Sequence, residues 1–148
     1  MFRVTVRSAK SLISVSKQRS YLSTIKYSES HEYIKVDGKT GIVGITKHAA
    51  DALGDVVFVD LPAVGAKFSA GASFGSVESV KAASDVYAPV SGEVIAVNSE
   101  LEGNPAKVNE SPLGEGWFIK LKIDNEADLN KLLDEAGYKK HLDESSHQ

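Results

Sequence analysis

What limits the fold most is punctuation. Turn-forming residues recur at Gly38, Gly54, Pro62, Gly65, Gly71, Gly75, Pro89 and Gly92, and the runs between them are short. His31 to Val36 alternates in polarity, Gly41 to Ile45 follows, and Asp37-Gly38 lies between. Asp-Gly in that position is a strong hairpin signal, because both central turn residues favour positive φ. Thr46 is placed to cap a short helix from Lys47 to Leu53, stopped by Gly54. Val56 to Leu61 is β-branched and aromatic, hence a strand, and Pro62 ends it. Val86–Ala88 and Val94–Val97 read as strands joined across Pro89-Val90-Ser91-Gly92, followed by a brief helical turn from Asn98 or Ser99. Trp117, Ile119, Leu121 and Ile123 alternate with Phe118, Lys120 and Lys122, which predicts a half-buried strand with Trp117 in the core. Asn125 is placed to cap a terminal helix over about 125–137, bearing Leu129, Leu132, Leu133 and Ala136 and closed by Gly137; the polar tail from Lys139 is expected to fray. Short strands at this spacing, with Phe68 and Phe74 inside, predict a mainly β sandwich or barrel with short helices.

Within that pattern Gly75 to Asp85, GSVESVKAASD, reads as a hairpin with Lys81 at its tip. Ala82, Ala83 and Ser84 are small and leave the lysine open to another protein's active site. Acylating such an amine removes its charge. Most exposed lysines only solvate, so position alone does not decide the matter. Leu61-Pro62 with Gly65 before Lys81, and Ala88-Pro89 with Gly92 after it, form a faint internal echo around the tip.

Charge divides the chain. Five of the 17 basic residues precede Leu22 and all 20 acidic residues follow it, so the rest carries a net charge of −8. The basic, serine-containing, acid-free segment over residues 1–22 has the composition of a mitochondrial transit peptide, leaving 23–148 as the domain. An acidic body argues against nucleic acid and anionic membranes as partners, and no apolar run is long enough to span a bilayer. The absence of cysteine excludes disulfides, thiolate zinc sites and cysteine nucleophiles. Any redox group must be borrowed.

Other motifs fail on context. Gly71-Ala72-Ser73-Phe74-Gly75 matches a nucleophile elbow, but a strand rather than a helix follows it. His31-Glu32 opens a zinc motif whose second histidine would fall at Lys35, and the four histidines show no ligand spacing. Asn109-Glu110-Ser111 is a glycosylation sequon, irrelevant to a mitochondrial protein. No catalytic set remains, so the residues favour a carrier or an interaction module over an enzyme.

VESVKAASD, Val77 to Asp85, resembles the lipoyl-attachment motif of the glycine cleavage system H proteins. The resemblance continues through SHEY (Ser30–Tyr33), VGIT (Val43–Thr46), ALGD (Ala52–Asp55), Leu61-Pro62, APVSGEV (Ala88–Val94), Pro105, Val108-Asn109 and GEGW (Gly114–Trp117). Leu113 departs from it, since many relatives carry tyrosine after the proline. The resemblance implies a barrel-sandwich hybrid of the lipoyl/biotinyl-carrier kind, with its core over about 40–123. It implies lipoate in amide linkage on Lys81, Glu78 read by the octanoyl/lipoyl transferase and lipoyl synthase, and Gly65 and Gly92 fixing turns. Ser30, Glu32 and Asp85 match positions that hold the methylamine-bearing arm, as two carboxylates and a hydroxyl suit a cationic amine. The implied partners are a pyridoxal-phosphate glycine decarboxylase, a folate-dependent aminomethyltransferase and a flavin-containing dihydrolipoamide dehydrogenase, with the chain itself a non-catalytic shuttle. Biotin carriers also present a tip lysine but flank it with methionines, where this chain has Val80 and Ala82. The lipoyl domains of 2-oxo acid dehydrogenases lack the SHEY and VN…GEGW segments.

Overall fold

The computed structural model describes residues 24–145, so the transit peptide expected over 1–22 lies outside the described residues. Among these residues nine strands form two antiparallel sheets. The larger contains β1 (Thr24–Tyr27), β2 (Glu32–Asp37), β3 (Thr40–Ile45), β5 (Lys67–Phe68), β8 (Gly92–Val97) and β9 (Ile119–Ile123), in the order β1-β2-β3-β9-β8-β5. The smaller contains β4 (Val56–Asp60), β6 (Ser73–Ser79) and β7 (Ala83–Tyr87), with β6 in the middle. The mainly β, two-layered expectation holds.

The sheets share one apolar core. Ile34, Val43, Val94, Ile119 and Leu121 of the larger sheet meet Val77 and Val86 of the smaller, all at most 1% exposed. Each such aliphatic side chain contributes about 1.5–3 kcal/mol relative to exposure. Backbone hydrogen bonds also stitch the halves of the internal echo. Gly65 donates to the Val94 carbonyl and Val94 to that of Ala66, while Gly71 donates to Ala88 and Ala88 to Ala72.

The β2–β3 turn falls one residue later than expected. Asp37 pairs with Thr40, which leaves Gly38 and Lys39 as the central residues, and only Gly38 has positive φ (64°). That is the primed turn with glycine in first place. α1 (Lys47–Leu53) begins and ends as expected: Thr46 Oγ1 accepts from the Ala49 N–H at 3.2 Å, and Gly54 closes the helix at φ 79°. Two four-residue helices, α2 (Glu100–Gly103) and α3 (Lys107–Glu110), replace the brief turn expected after Asn98.

Three further expectations need correction. The last strand begins at Ile119, and the residue buried before it is Phe118 rather than Trp117. Phe118 donates its N–H to the Val43 carbonyl and sets its ring edge-on to Phe74, whereas Trp117 stays half-buried under the Lys120 ammonium. The alternation does not extend upstream of the ladder, and it slips again between Lys120 and Leu121. The terminal helix does not run over 125–137. Asn125 does cap, but what it caps is a 3-10 helix, Glu126–Lys131. Leu133 then exchanges two backbone hydrogen bonds with Tyr27, both 2.8 Å, and interrupts the helical spacing. The true terminal helix, α4, spans Glu135–Ser145. Asp134 Oδ1 accepts the Gly137 N–H at 2.7 Å, so Gly137 lies in the opening turn of α4. The segment from Lys139, expected to fray, is helical to Ser145, tied down by the buried Tyr138 ring stacked on Tyr27 at 4.6 Å.

Gly92 pairs with both Phe68 and Ile123, and a Cβ there would stand 2.5 Å from the Lys122 carbonyl oxygen. The backbone cannot retreat without opening the β8–β9 ladder. Gly92→Ala is therefore expected to destabilise the chain by about 1–3 kcal/mol, the usual cost of forced overpacking. The midpoint of urea denaturation, at unchanged slope, measures it.

Candidate functional site

The β6–β7 hairpin carries Lys81 at its tip, exposed, with Val80 beside it 68% exposed. Ser79 organises the turn. Its N–H donates to the Ala82 carbonyl at 2.7 Å, and its hydroxyl oxygen accepts from the N–H groups of Lys81 and Ala82. The tip is anchored sideways by the Val80 N–H, which donates to the Asp55 carbonyl at 3.0 Å. The ion pairs among the described residues are Lys47–Asp51 and Lys107–Glu115, so the Lys81 ammonium is bound to no carboxylate. Glu78 is exposed on β6, opposite Phe58 and Ala83.

Beside the hairpin lies a cleft of about 260 Å³. Ile45, Ala49, Leu53, Val77 and Val86 give it apolar walls, and Ser30, Glu32, Ser84 and Asp85 give it a polar end. The fold thus brings together Ser30, Glu32 and Asp85, which sequence alone could relate only through the resemblance. Glu32 is 2% exposed, and its carboxylate is held from three sides. Oε1 accepts from Ser28 Oγ (2.6 Å) and Ser30 Oγ (2.5 Å), and Oε2 accepts from the Tyr87 N–H (3.1 Å). Asp85 is exposed and pairs through its backbone with Ser76. Gly65 and Gly92 lie with the larger sheet, away from the strands that carry Lys81: Gly65, at φ 96°, donates to Val94, and Gly92 opens β8.

Sequence reading missed a cluster of rings on the same wall. His31 takes positive φ (76°), a conformation seldom adopted by residues other than glycine. Its ring lies 4.7 Å from that of His48 and 5.8 Å from that of His141, and Nδ1 shares a 2.8 Å hydrogen bond with the Tyr138 hydroxyl. Tyr138 in turn bonds Thr46 Oγ1 at 2.7 Å. Residues 31, 48 and 141 are too far apart for spacing to relate them, and His141 sits in the segment expected to fray. No three metal-ligating side chains among the described residues are placed to hold a metal ion. Burial, then the neighbouring His48 and His141, lowers the His31 pKa below its ordinary value.

Comparison with known proteins settles the kinship. A model of the family described as Glycine cleavage H-protein matches residues 25–145. The chain belongs to the glycine cleavage H-protein family. A glycine cleavage system H protein from Carboxydothermus hydrogenoformans is 59% identical over 120 residues, covering 81% of this chain and 92% of the relative. A mitochondrial H protein from Oryza sativa subsp. indica is 52% identical over 128 residues, covering 84% and 78%. The crystal structure of an H protein from Mycobacterium marinum superposes with a TM-score of 0.73 at 38% identity, covering 80% of this chain and 95% of that one. The two-sheet body and its projecting hairpin are thus an H-protein fold, and Leu113 of this H-protein chain borders a second cavity of about 270 Å³ beside Tyr27 and Tyr138.

The His31 shift has a pH consequence. Its folded pKa is below the unfolded value of about 6.5, so on acidification the unfolded chain binds the proton first and folding weakens through that window. The melting temperature is expected to fall between pH 7 and pH 5. His31→Asn, which tolerates the left-handed backbone, is expected to flatten that dependence, as thermal melts over the range will read.

Proposed function

We propose that this H-protein family member carries a lipoyl group in amide linkage on Lys81 and serves as the shuttle of glycine cleavage. The observation that carries the reading is an exposed, unpaired tip lysine beside a cleft with apolar walls and an acidic end. A covalent arm of that kind fits this site. The lysine is accessible to a modifying enzyme, and Asp85, four residues further on and the third residue of β7, lines the cleft beside the hairpin. Bound there, the group supplies a redox-active dithiolane that this cysteine-free chain lacks.

The chain's own residues do the presenting and the holding. Ser79 and Asp55 fix the tip. Glu78, exposed three residues before Lys81, is the side chain that a lipoyl or octanoyl transferase and lipoyl synthase would read. Ser30, Glu32 and Asp85 would receive a cationic amine, with the apolar walls excluding water around it. The partners on this reading are a glycine decarboxylase, an aminomethyltransferase and a dihydrolipoamide dehydrogenase, each meeting the same tip in turn, while the chain performs no turnover itself. A mitochondrial matrix location is supported by the acid-free basic segment over 1–22 and by the mitochondrial rice relative. Among the described residues no helix is long and apolar enough to cross a membrane.

Peptide mass spectrometry across Lys81, on protein from its native compartment, should find the lipoyl adduct; a bare lysine would overturn the proposal. Lys81→Arg should leave stability within about 0.5 kcal/mol, as surface changes do, yet abolish glycine decarboxylation when the chain is mixed with the three partner enzymes. Asp85→Ala should hasten loss of methylamine from the loaded chain by severalfold in a stopped-time release assay. An unchanged rate removes Asp85 from the holding site.

A further inference from the structure

We infer that Asn109 is a positioning residue for the modification of Lys81, acting through the backbone of Asp55. The inference rests on the lipoyl-carrier reading above for its functional half and on geometry alone for its structural half. Asn109 sits in α3, outside both sheets, and its sequence marks it as part of a sequon and of the Val108-Asn109 segment of the resemblance, neither of which gives it a role. Its side-chain amide is used for something else. Oδ1 accepts the Val56 N–H at 2.9 Å, and Nδ2 donates to the Gly54 carbonyl at 2.9 Å and the Ala50 carbonyl at 3.5 Å. One amide therefore grips the chain on both sides of Asp55. Asp55 is the residue whose carbonyl receives the Val80 N–H next to the tip.

The same grip reaches the lysine by a second route. Gly54 lies under the Lys81 stem, close enough that a Cβ there would stand 3.5 Å from Lys81 Cε. The Ala50 and Gly54 carbonyls close α1, whose Ala49 and Leu53 wall the cleft. Asn109 thus sets the spacing between the tip and the cleft. Two polar side-chain atoms satisfy the Val56 N–H and the Gly54 carbonyl, and add a second, longer donor to the Ala50 carbonyl, which already accepts the Gly54 N–H. No other residue type offers an acceptor and two donors on so short a stem.

In acylation the Lys81 amine gives up a proton and forms the amide bond, while the C–S bond of a thioester donor breaks and the thiol leaves. The reacting nitrogen must be held in line with that carbonyl, and a loosened tip slows the step without changing the docking surface. Loss of the Asn109 amide is thus expected in kcat rather than in KM.

The test compares wild type, Asn109→Ala and Asn109→Asp as unmodified chains. Asn109→Asp keeps the acceptor for Val56 and loses both donations. Amide hydrogen exchange is followed at Val80 and, as a core reference, at Leu121. Acylation by an octanoyl transferase with an octanoyl-acyl-carrier thioester is followed by intact mass. Asn109→Ala should exchange the Val80 amide at least tenfold faster with Leu121 unchanged, and should lower kcat for acylation about tenfold with KM within twofold; Asn109→Asp, whose second carboxylate oxygen would face the Gly54 carbonyl, should do no better than Asn109→Ala. Unchanged Val80 exchange overturns the proposal, as does acceleration of Val80 and Leu121 together, which marks a general loss of stability. Should wild-type Lys81 not be acylated at all, the carrier reading fails, and the exchange data still decide whether Asn109 holds the tip.

Discussion

A hairpin supported along one edge is the constraint on which the rest of the molecule turns. β6 has β4 on one side and β7 on the other, and among the described residues β7 has no further strand. Two strands alone are marginal in water, so a lysine can be projected on this hairpin only because Val77 and Val86 are buried in the common core and β4 pairs along β6. The two-sheet body is the ballast for that projection. It fills the space under the hairpin with aliphatic side chains and leaves the tip itself with small neighbours.

The buried Glu32 is the second consequence of the same arrangement. A carboxylate taken out of water is costly unless hydrogen-bonded on its available lone pairs. Two serine hydroxyls and the Tyr87 N–H meet that requirement. Tyr87 is the last residue of β7, so Glu32 also ties the base of the smaller sheet to β2 of the larger. The turn that supplies Ser28 and Ser30 runs into His31, whose positive φ turns its ring toward Tyr138 and α4. The polar end of the cleft is thus built from three separate elements, the turn before β2, β2 itself and β7, and the Glu32 side chain is held in place before any ligand arrives.

Local chemistry was legible wherever the sequence carries its own instructions. Thr46 and Gly54 delimit α1, and small residues around Lys81 mark the tip, because capping and turns depend on neighbours a few positions away. Asp37-Gly38 announced a turn but not its register, since Gly38-Lys39 with glycine first satisfies the same hairpin. The leucines after Asn125 have helical spacing, yet Leu133 is taken by Tyr27 in a backbone pairing 106 residues away in sequence, and tertiary contact overrides propensity there. Of the site, Lys81 was visible as a tip. The joining of Ser30 and Glu32 to Asp85, the ring cluster of His31, His48 and His141, and the bonds of Asn109 all lie between segments far apart in the chain, where no periodicity reaches.

A carrier must grip its cargo and also give it up, and the two carboxylates of the cleft divide that task on the proposed reading. Glu32 is buried and its carboxylate oxygens are held by three donors, so its position is fixed. Asp85 is exposed on an edge strand, where water and salt screen it. A partner docking over β7 would change the surroundings of Asp85 far more than those of Glu32. Were both carboxylates buried, the amine would be held too firmly to leave on contact with an enzyme. Were both exposed, surface pairing would be worth at most about 1 kcal/mol and the cargo would be lost to solvent. On that reading one fixed and one accessible carboxylate combine a hold during transit with release at the face a partner touches.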